Sequence, residues 1–425
     1  MIHRITNSER SAAACPQRWL LKYGLALRPE GRVRALDVGS FVHDGIEELF
    51  RAQHEGDDNA LKRALDHVAA RRDAEVERIE SASDPHQLDP SAYGSASDVE
   101  RVKEAAEDAA KLVSGYATHW RGDQFDLIRN EGAVETPVMT PRGNASTRTR
   151  YTGKVDKVVV YQGQALIVEH KSTSMALSEW YEKHRRSPQA MGYALALRRE
   201  DIEVAGVIYD LVQSKPPREW YDLEVLKDRS RLAKPKGLPW TTAANFLTAI
   251  EELHLSDAEK LLVPVDADPV SVIQGIVASA KKRESVEWYL DVYRALAERE
   301  ADGFWFRREV ELFDEVAMQR TSDEIYYDAT RIRRWKESTK VFRERIIEAD
   351  DSDVPFIVEA ALELDGAAYP RQSSLCWQWN RLCPYASLCS SHSRHDVVGF
   401  RVERSADGHS ELAIEEDAIE ESQAG

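Results

Sequence analysis

The sequence predicts a mixed α/β fold in which helices flank a central mixed β-sheet. Two β-branched runs, at 158–160 and 166–168, are separated by a short turn that contains Gly163, a pattern typical of a β-hairpin. Residues 37–51 carry apolar side chains at helical spacing, which predicts an amphipathic helix. Residues 52–130 are charged and mostly helical in pattern, which predicts a large helical insertion.

Length and composition favour a folded protein without membrane contact. A chain of 425 residues can build a sizeable core in two or three lobes, and its ten Trp and fifteen Tyr favour an ordered interior. No apolar run approaches the length of a membrane span, and the first residues lack the apolar segment of a signal peptide. We therefore expect a soluble, cytoplasmic protein.

Charge is unevenly distributed along the sequence. The formal net charge is −17, yet residues 139–190 contain nine Lys or Arg against four Asp or Glu. Residues 402–425, by contrast, hold eight acidic side chains and one Arg. Because the local field governs phosphate binding more than the total charge does, the basic segment is the better candidate for contact with nucleic acid. The acidic end is a candidate for a solvated tail or for recruiting a protein partner.

Pattern and composition divide the sequence into six segments without an internal repeat. The third segment holds most of the polar motifs, and the sixth is expected to be disordered. The predicted segments are N-terminal helices at 1–50, a helical insertion at 51–130, the core at 131–215, a helical and loop insertion at 216–300, a C-terminal return with a cysteine cluster at 301–395, and the acidic tail at 396–425.

Two helices are predicted in the first segment. Thr6-Asn-Ser-Glu9 fits a capping box, in which the side chains of Thr6 and Glu9 satisfy the first amides of a helix. The helix at 37–51 carries His43 beside its apolar stripe. This imidazole is either a half-buried helix histidine or a metal ligand that the fold brings to the hairpin.

The core segment begins with a strand at 131–141, and the hairpin follows it. Ser187 and Pro188 then mark a helix start, with Ser as the cap and Pro in the first turn. Gln189 and Tyr193 lie four residues apart and therefore on one face of that helix. Further elements are predicted as strands at 204–212 and 304–313 and a helix at 322–349.

Asp156, Glu169 and Lys171 carry the chemical signal of the hairpin. Because side chains alternate along a strand, Glu169 and Lys171 leave it on the same face. Hard cations such as Mg²⁺ or Mn²⁺ bind carboxylate oxygens, and a bound cation activates its water and offsets charge on a phosphodiester. Lys171 could orient that water or stabilise the transition state as a point charge. The alternative is a solvated strand edge without a ligand.

The four cysteines lie at the two ends of the chain. Cys15 is near the start, and Cys376, Cys383 and Cys389 follow near the end with six and five residues between them. Disulfides are the less expected use of such thiols in the cytosol. Structural zinc sites favour shorter gaps, whereas four thiolates also suit an iron–sulfur cluster. A group bound by all four would tie the two ends together, so that its binding energy becomes folding energy.

The order of these motifs resembles the PD-(D/E)XK nuclease superfamily. It is most similar to the RecB/AddB-like branch with an iron–sulfur "staple", which includes phage and prophage exonucleases and the nuclease of CRISPR spacer acquisition. The similar pieces span nearly the whole chain in the family's order. They are Cys15-Pro16, Gly39-x-x-x-His43, Gly153-x-x-Asp156, Glu169-x-Lys171, Gln189-x-x-x-Tyr193 and the trio Cys376, Cys383 and Cys389.

The resemblance implies a restriction-endonuclease-like core with large helical insertions. It also implies a DNA exonuclease that acts on single strands or duplex ends. His43, Asp156 and Glu169, together with the backbone carbonyl of His170, would bind Mg²⁺ or Mn²⁺, and Lys171 would be the catalytic lysine.

The remaining motifs receive roles from the same resemblance. Gln189 and Tyr193 would contact DNA and support the catalytic site. The four cysteines would bind a 4Fe–4S cluster. Several relatives have two residues between the first two C-terminal cysteines where this chain has six, so zinc or another cluster type is the alternative.

A non-enzymatic function is the second hypothesis. The chain could be a DNA-binding or scaffolding subunit of a recombination, repair or CRISPR-adaptation complex. The intact set of Asp156, Glu169 and Lys171 favours the enzyme over this alternative. The sequence contains no Gly-x-x-x-x-Gly-Lys-Ser/Thr phosphate loop, so it does not predict a helicase motor.

Overall fold

A computed structural model describes residues 2–29, 34–82, 96–122, 125–222, 238, 240–254, 268–279, 286–365, 368–378, 381–391, 397 and 399–404. Every site residue predicted above falls within these ranges. Residues 405–425, which make up most of the predicted acidic tail, lie outside the described residues.

The helices follow the apolar periodicity of the sequence. They are α1 Asn7–Ala13, α2 Pro16–Trp19, α3 Arg34–His54, α4 Ala60–Ala82, α5 Ala96–His119, α6 Leu177–His184, α7 Pro188–Leu197, α8 Ala243–His254, α9 Pro269–Ser279, α10 Val286–Ala301, α11 Glu315–Glu348, α12 Val354–Asp365 and α13 Ala386–Ser391. The helices predicted at 37–51 and 322–349 are confirmed as α3 and α11. Within the described part of the chain, no helix combines the length and apolarity needed to cross a membrane.

The strands form one large sheet and two small ones. They are β1 His3–Ile5, β2 Leu27–Pro29, β3 Asp126–Met139, β4 Ala145–Tyr161, β5 Gln164–Thr173, β6 Gly206–Gln213, β7 Phe306–Leu312, β8 Trp377–Gln378, β9 Arg381–Leu382 and β10 Phe400–Val402. The six-stranded sheet has the order β1-β4-β5-β6-β7, with β3 also paired to β4. Because β1 runs parallel to β4 while β3 and β5 run antiparallel to it, the predicted mixed sheet is confirmed.

The predicted hairpin is confirmed as β4 and β5. Its last pair is Tyr161 with Gln164. The two turn residues both adopt left-handed backbone conformations, with φ of 50° at Gln162 and 80° at Gly163. Two consecutive positive φ angles give the turn a twist that matches the twist of the strands, which explains why glycine is needed there.

The N-terminal segment begins with a strand that the sequence did not indicate. β1 is three residues long, too short to show an alternating pattern. Thr6 then caps α1 by accepting a hydrogen bond from the Glu9 amide at 3.1 Å, which confirms the Thr6 half of the predicted capping box. The buried Glu9 carboxylate accepts from Trp19 Nε1 at 3.1 Å and pairs with Lys336 at 3.0 Å. These contacts connect α1 to α2 and α11.

Helices pack on one another and on the central sheet. α3, α4 and α5 pack against one another, and α7 and α11 pack on β3 and β4. The helices approach closely at Gly45 of α3, where an added Cβ would lie 2.7 Å from Val113 and 2.8 Å from Val68. A larger residue there would push the helix that carries His43 away from its neighbours.

The chain divides into two compact units, the first made of residues 1–171, 183–210 and 309–425. It contains every predicted site residue. The second unit, residues 172–182 and 211–308, has a hydrophobic core of its own, in which α8, α9 and α10 bury Phe246, Ile273 and Leu296.

Candidate active site

The pairing between β4 and β5 ends next to Asp156, one of the predicted metal ligands. The strand pairing extends to Lys157 and Val168. One residue further along β4, the Asp156 carboxylate acts as the acceptor, because its Oδ2 receives a hydrogen bond from the His170 amide at 2.9 Å. This hydrogen bond fixes the Asp156 side chain between the two strands.

α3 brings His43 to Asp156, as the metal-ligand interpretation of the sequence expects. Ile46 and Leu49 belong to the apolar face of α3 and are buried. His43 lies beside this face, and its Nε2 is 3.1 Å from Asp156 Oδ1. Burial opposes a charge on His43, but the Asp156 carboxylate outweighs burial and raises the His43 pKa. Burial likewise opposes the Asp156 charge, yet His43 and Lys171 hold the pKa of Asp156 well below its ordinary value.

Glu169 and Lys171 leave β5 on the same face, as strand alternation predicts. The Lys171 ammonium forms an ion pair with the Glu169 carboxylate, whose residue is only 2% exposed. Burial raises the pKa of Glu169, and the negative charge of Asp156 adds to this effect. Burial alone would lower the pKa of Lys171, but Glu169 and Asp156 outweigh it and raise that pKa. Lys171 is therefore an ammonium at neutral pH.

Gln189 and Tyr193, the predicted pair of residues on α7, lie at the same site. Ser187 caps α7 by accepting the Gln189 amide at 3.3 Å, and the Gln189 side chain donates to the Tyr193 hydroxyl at 2.9 Å. Burial raises the pKa of Tyr193, and the nearby Glu169 charge adds to the shift. The Tyr193 ring lies against Gly153, where an added Cβ would fall 2.3 Å from Tyr193 Cε1.

A second glycine makes this packing reciprocal. An added Cβ on Gly192 of α7 would lie 2.5 Å from the Tyr151 hydroxyl of β4. Each element thus offers a glycine to a tyrosine of the other. This close packing fixes the position of α7 relative to β4, the strand that carries Asp156.

Two carboxylates beside His43 were missed by sequence reasoning. One ligand atom each of His43, Glu47 and Glu131 lie within 4.8 Å of one another. Glu47 follows His43 by one helical turn, so its spacing was a usable signal. Glu131 reaches the site only because β3 pairs with β4, and no local pattern indicates that.

The two missed carboxylates interact directly with each other. Burial and the hydrogen bond between them raise the pKa of Glu47 to about 7. Burial would also raise the pKa of Glu131, but its contacts with Glu47 and Lys154 lower it. Below about pH 7 the pair therefore holds one proton, which Glu47 donates towards Glu131.

The donor set fits a hard divalent cation. Such ions prefer carboxylate oxygens and tolerate an imidazole nitrogen. Here the half-buried Asp156 and the buried Glu169 are neighbours of like charge, and Glu47 and Glu131 meet through a hydrogen bond. A cation would relieve both strains. The candidate ligands are His43, Glu47, Glu131, Asp156 and Glu169.

The four cysteines also come together, in a cavity of about 230 Å³ that Arg18 and Arg371 help to line. None of the four forms a disulfide. Burial and the charges of the neighbouring thiolates, Cys383 first, raise the pKa of Cys389 to about 12. Thiols crowded in this way fit a bound metal or cluster, because a cation would compensate four thiolates.

Comparison with known proteins gives one clear match. The family model of the PD-(D/E)XK nuclease superfamily matches residues 8–390. This range contains all the residues of the candidate site and the four cysteines. A search of curated proteins found no match.

The contact between Gly153 and Tyr193 predicts the effect of one added methyl group. Gly153→Ala should lower the free energy of unfolding by about 1–3 kcal/mol, because the Tyr193 ring must move out of its place. Gly132→Ala is the matched control, since its new Cβ would meet only the Arg129 side chain at 3.4 Å. Urea unfolding of both variants measures the difference, and equal stabilities would contradict the packing described.

The pair of Glu47 and Glu131 predicts a pH-dependent stability in buffer with EDTA. The folded-state pKa of Glu47, about 7, exceeds the ordinary value of 4.5, so stability falls as pH rises between these values. Glu47→Gln keeps a hydrogen-bond donor but removes this titration. At pH 8 the variant should be more stable than the wild type by about 1 kcal/mol, and the advantage should vanish near pH 5.

Thermal unfolding across this pH range provides the measurement. Glu77→Gln, at an exposed position of α4, is the control for the loss of one carboxylate. If Glu47→Gln and the wild type showed parallel stability curves, the shared proton would be ruled out.

Proposed function

Since the chain belongs to the PD-(D/E)XK nuclease superfamily, we propose that it is a metal-dependent deoxyribonuclease that hydrolyses phosphodiester bonds. One observation carries the proposal. His43 of α3 pairs with the half-buried Asp156 carboxylate, and Lys171 of β5 pairs with the buried Glu169 carboxylate. A partly buried acidic pair with a neighbouring ammonium suits phosphodiester hydrolysis better than it suits a structural role.

The metal ligands in this proposal are His43, Asp156, Glu169 and the backbone carbonyl of His170. Bound Mg²⁺ or Mn²⁺ supplies positive charge to the phosphate and lowers the pKa of a bound water. The chain itself fixes the direction of its ligands. Asp156 is already held by the His170 amide, so its carboxylate needs little reorganisation to bind an ion. Glu47 lies close enough to His43 to extend the set.

Lys171 is the proposed catalytic lysine. Its raised pKa keeps it protonated, which favours a role as a positive charge beside the scissile phosphate over a role as a general base. The ion pair with Glu169 holds the ammonium at the site before substrate arrives. Gln189 and Tyr193 support this arrangement from α7, where the side-chain hydrogen bond between them orients the Tyr193 hydroxyl.

DNA is the proposed substrate, and removal of nucleotides from single strands or duplex ends is the proposed mode. The mode rests on the order of the motifs, which resembles that of RecB/AddB-like exonucleases. Exposed Arg142, in the turn between β3 and β4, and exposed Arg148, near the start of β4, are candidates for contact with backbone phosphates.

A 4Fe–4S cluster is the proposed occupant of the four-cysteine cavity. The common cavity and the absence of disulfides among Cys15, Cys376, Cys383 and Cys389 support it. The group would act on stability, because it joins segments from the two ends of the sequence. Zinc is the alternative, and metal analysis of anaerobically purified protein separates the two.

Substitution at the catalytic centre tests the proposed activity. Lys171→Ala and Asp156→Asn should each reduce Mg²⁺- or Mn²⁺-dependent DNA cleavage by at least about 100-fold, because each removes a charge that the transition state requires. Lys111→Ala, which removes an exposed lysine of α5, should cleave like the wild type. Full cleavage by both site variants would reject the residue assignment.

The substrate form separates the remaining alternatives. Labelled linear single strands, duplexes with free ends and circular single strands should be compared as substrates of the wild-type protein. Shortening of the linear substrates with circles left intact is expected for an exonuclease, whereas cut circles would indicate an endonuclease. Binding of every substrate without shortening would favour the DNA-binding or scaffolding subunit.

The cysteine proposal predicts a colour and a loss of stability. Wild-type protein purified without oxygen should absorb broadly in the visible range and bleach on reduction. Cys15→Ala and Cys389→Ala should lose that absorption and unfold at lower temperature, because the cluster no longer links the two segments. A colourless wild type with one zinc per chain would overturn the iron–sulfur assignment.

A further inference from the structure

A buried polar network lies behind the candidate metal site. It consists of Lys157, His170, Asp210 and Tyr116, each of which is 6% exposed or less. Because side chains alternate along β5, His170 points to the face opposite Glu169 and Lys171. None of the roles proposed above uses these four side chains.

The network connects three neighbouring strands and one helix. Lys157 Nζ of β4 lies 2.9 Å from His170 Nε2 of β5. The other ring nitrogen, His170 Nδ1, lies 3.4 Å from Asp210 Oδ2 of β6. The Tyr116 hydroxyl of α5 donates a hydrogen bond to the same Asp210 oxygen. The His170 ring therefore has a hydrogen-bond partner at Nε2 and a carboxylate oxygen near Nδ1.

Aromatic rings from the helices enclose this network. The Phe50 ring of α3 lies 3.6 Å from Lys157 Nζ and 6.0 Å from the His170 ring centre. The Tyr116 ring approaches His170 from α5 at 6.5 Å. In such surroundings an ammonium and a carboxylate are costly, and apolar side chains of similar volume would often be as stable. Stability alone does not explain a polar network at this position.

The position of His170 supplies a reason. Its amide donates the hydrogen bond that fixes Asp156, and its neighbours in sequence are Glu169 and Lys171. The Lys157 contact at Nε2 and the packed rings of Phe50 and Tyr116 restrict rotation of the His170 ring, so the peptide unit that carries this amide keeps one orientation. Partners behind a metal ligand commonly determine its direction in this way.

We propose that the buried polar network positions the His170 peptide and, through it, Asp156 and Glu169 for binding a divalent cation. Tyr116 and Asp210 are then positioning residues that never touch the substrate. The inference rests on the metal site of the proposed function, but it concerns cation affinity and not the chemical step. It can therefore be tested without DNA.

The experiment measures Mn²⁺ binding to the full-length protein by the electron paramagnetic resonance signal of free Mn²⁺. Tyr116→Phe and Asp210→Asn should each weaken Mn²⁺ binding by about 10- to 100-fold. Tyr161→Phe is the matched control, because this β4 tyrosine packs on Phe125 at 5.9 Å and lies outside the network. The control should bind Mn²⁺ like the wild type.

Cleavage as a function of Mn²⁺ concentration provides a second readout. The two network variants should need more Mn²⁺ for half-maximal activity yet recover most of the wild-type kcat at saturation. Tyr116→Phe removes one oxygen and no formal charge, so it keeps the test valid if Asp210→Asn does not fold. Circular dichroism and thermal unfolding identify the folded variants.

Three outcomes would overturn the inference or separate it from the proposed function. Mn²⁺ affinities within twofold of the wild type, with a lower melting temperature, would make the network purely structural. Loss of kcat at all Mn²⁺ concentrations with unchanged affinity would also overturn it. A wild type that binds Mn²⁺ without cleaving DNA would reject the nuclease, whereas weakened binding in the variants would still support the positioning role.

Discussion

Two neighbouring carboxylates, one buried and one half-buried, impose the central constraint on this fold. Glu169 is buried and Asp156 is half-buried, and an uncompensated carboxylate removed from water in this way is destabilising. Compensation comes from the His43 imidazole, the Lys171 ammonium and the His170 amide. Two of these three groups belong to β5 itself, but His43 has to be delivered by a separate helix. The position of α3 on the sheet is thus tied to the electrostatics of the hairpin.

Close packing maintains that position. Gly45 lets α3 approach α4 and α5, while Gly153 and Gly192 let β4 and α7 approach each other. At each of these contacts a methyl group would collide with a neighbouring side chain. Close-packed interiors absorb little displacement, so contacts of this kind fix the distance between segments far apart in sequence. Rigid placement is what a site assembled from a helix, a hairpin and a second helix requires.

The parts of the site that sequence could predict are those whose signal is local. The hairpin follows from β-branched runs around a glycine turn, and the helix of His43 from its apolar spacing. Glu131 could not be predicted, because its place beside His43 depends on the pairing of β3 with β4. The role of Asp210 could not be predicted either, since its approach to His170 depends on the order of strands in the sheet. Local patterns give elements and candidate residues, whereas neighbours across the sheet follow from topology.

Contacts between the two ends of the chain are not confined to the cysteines. β2 pairs with β10, and the Tyr385 hydroxyl donates to the Leu27 carbonyl at 2.9 Å. The closure of the chain therefore has a scaffold of ordinary hydrogen bonds beside the four thiols. A group bound by the thiols would add its energy to an arrangement that these contacts already favour, so less of that energy is spent on ordering the chain. A group bound there would reinforce the fold, and the hydrogen bonds explain how a pocket can be formed from thiols that lie at opposite ends of the sequence.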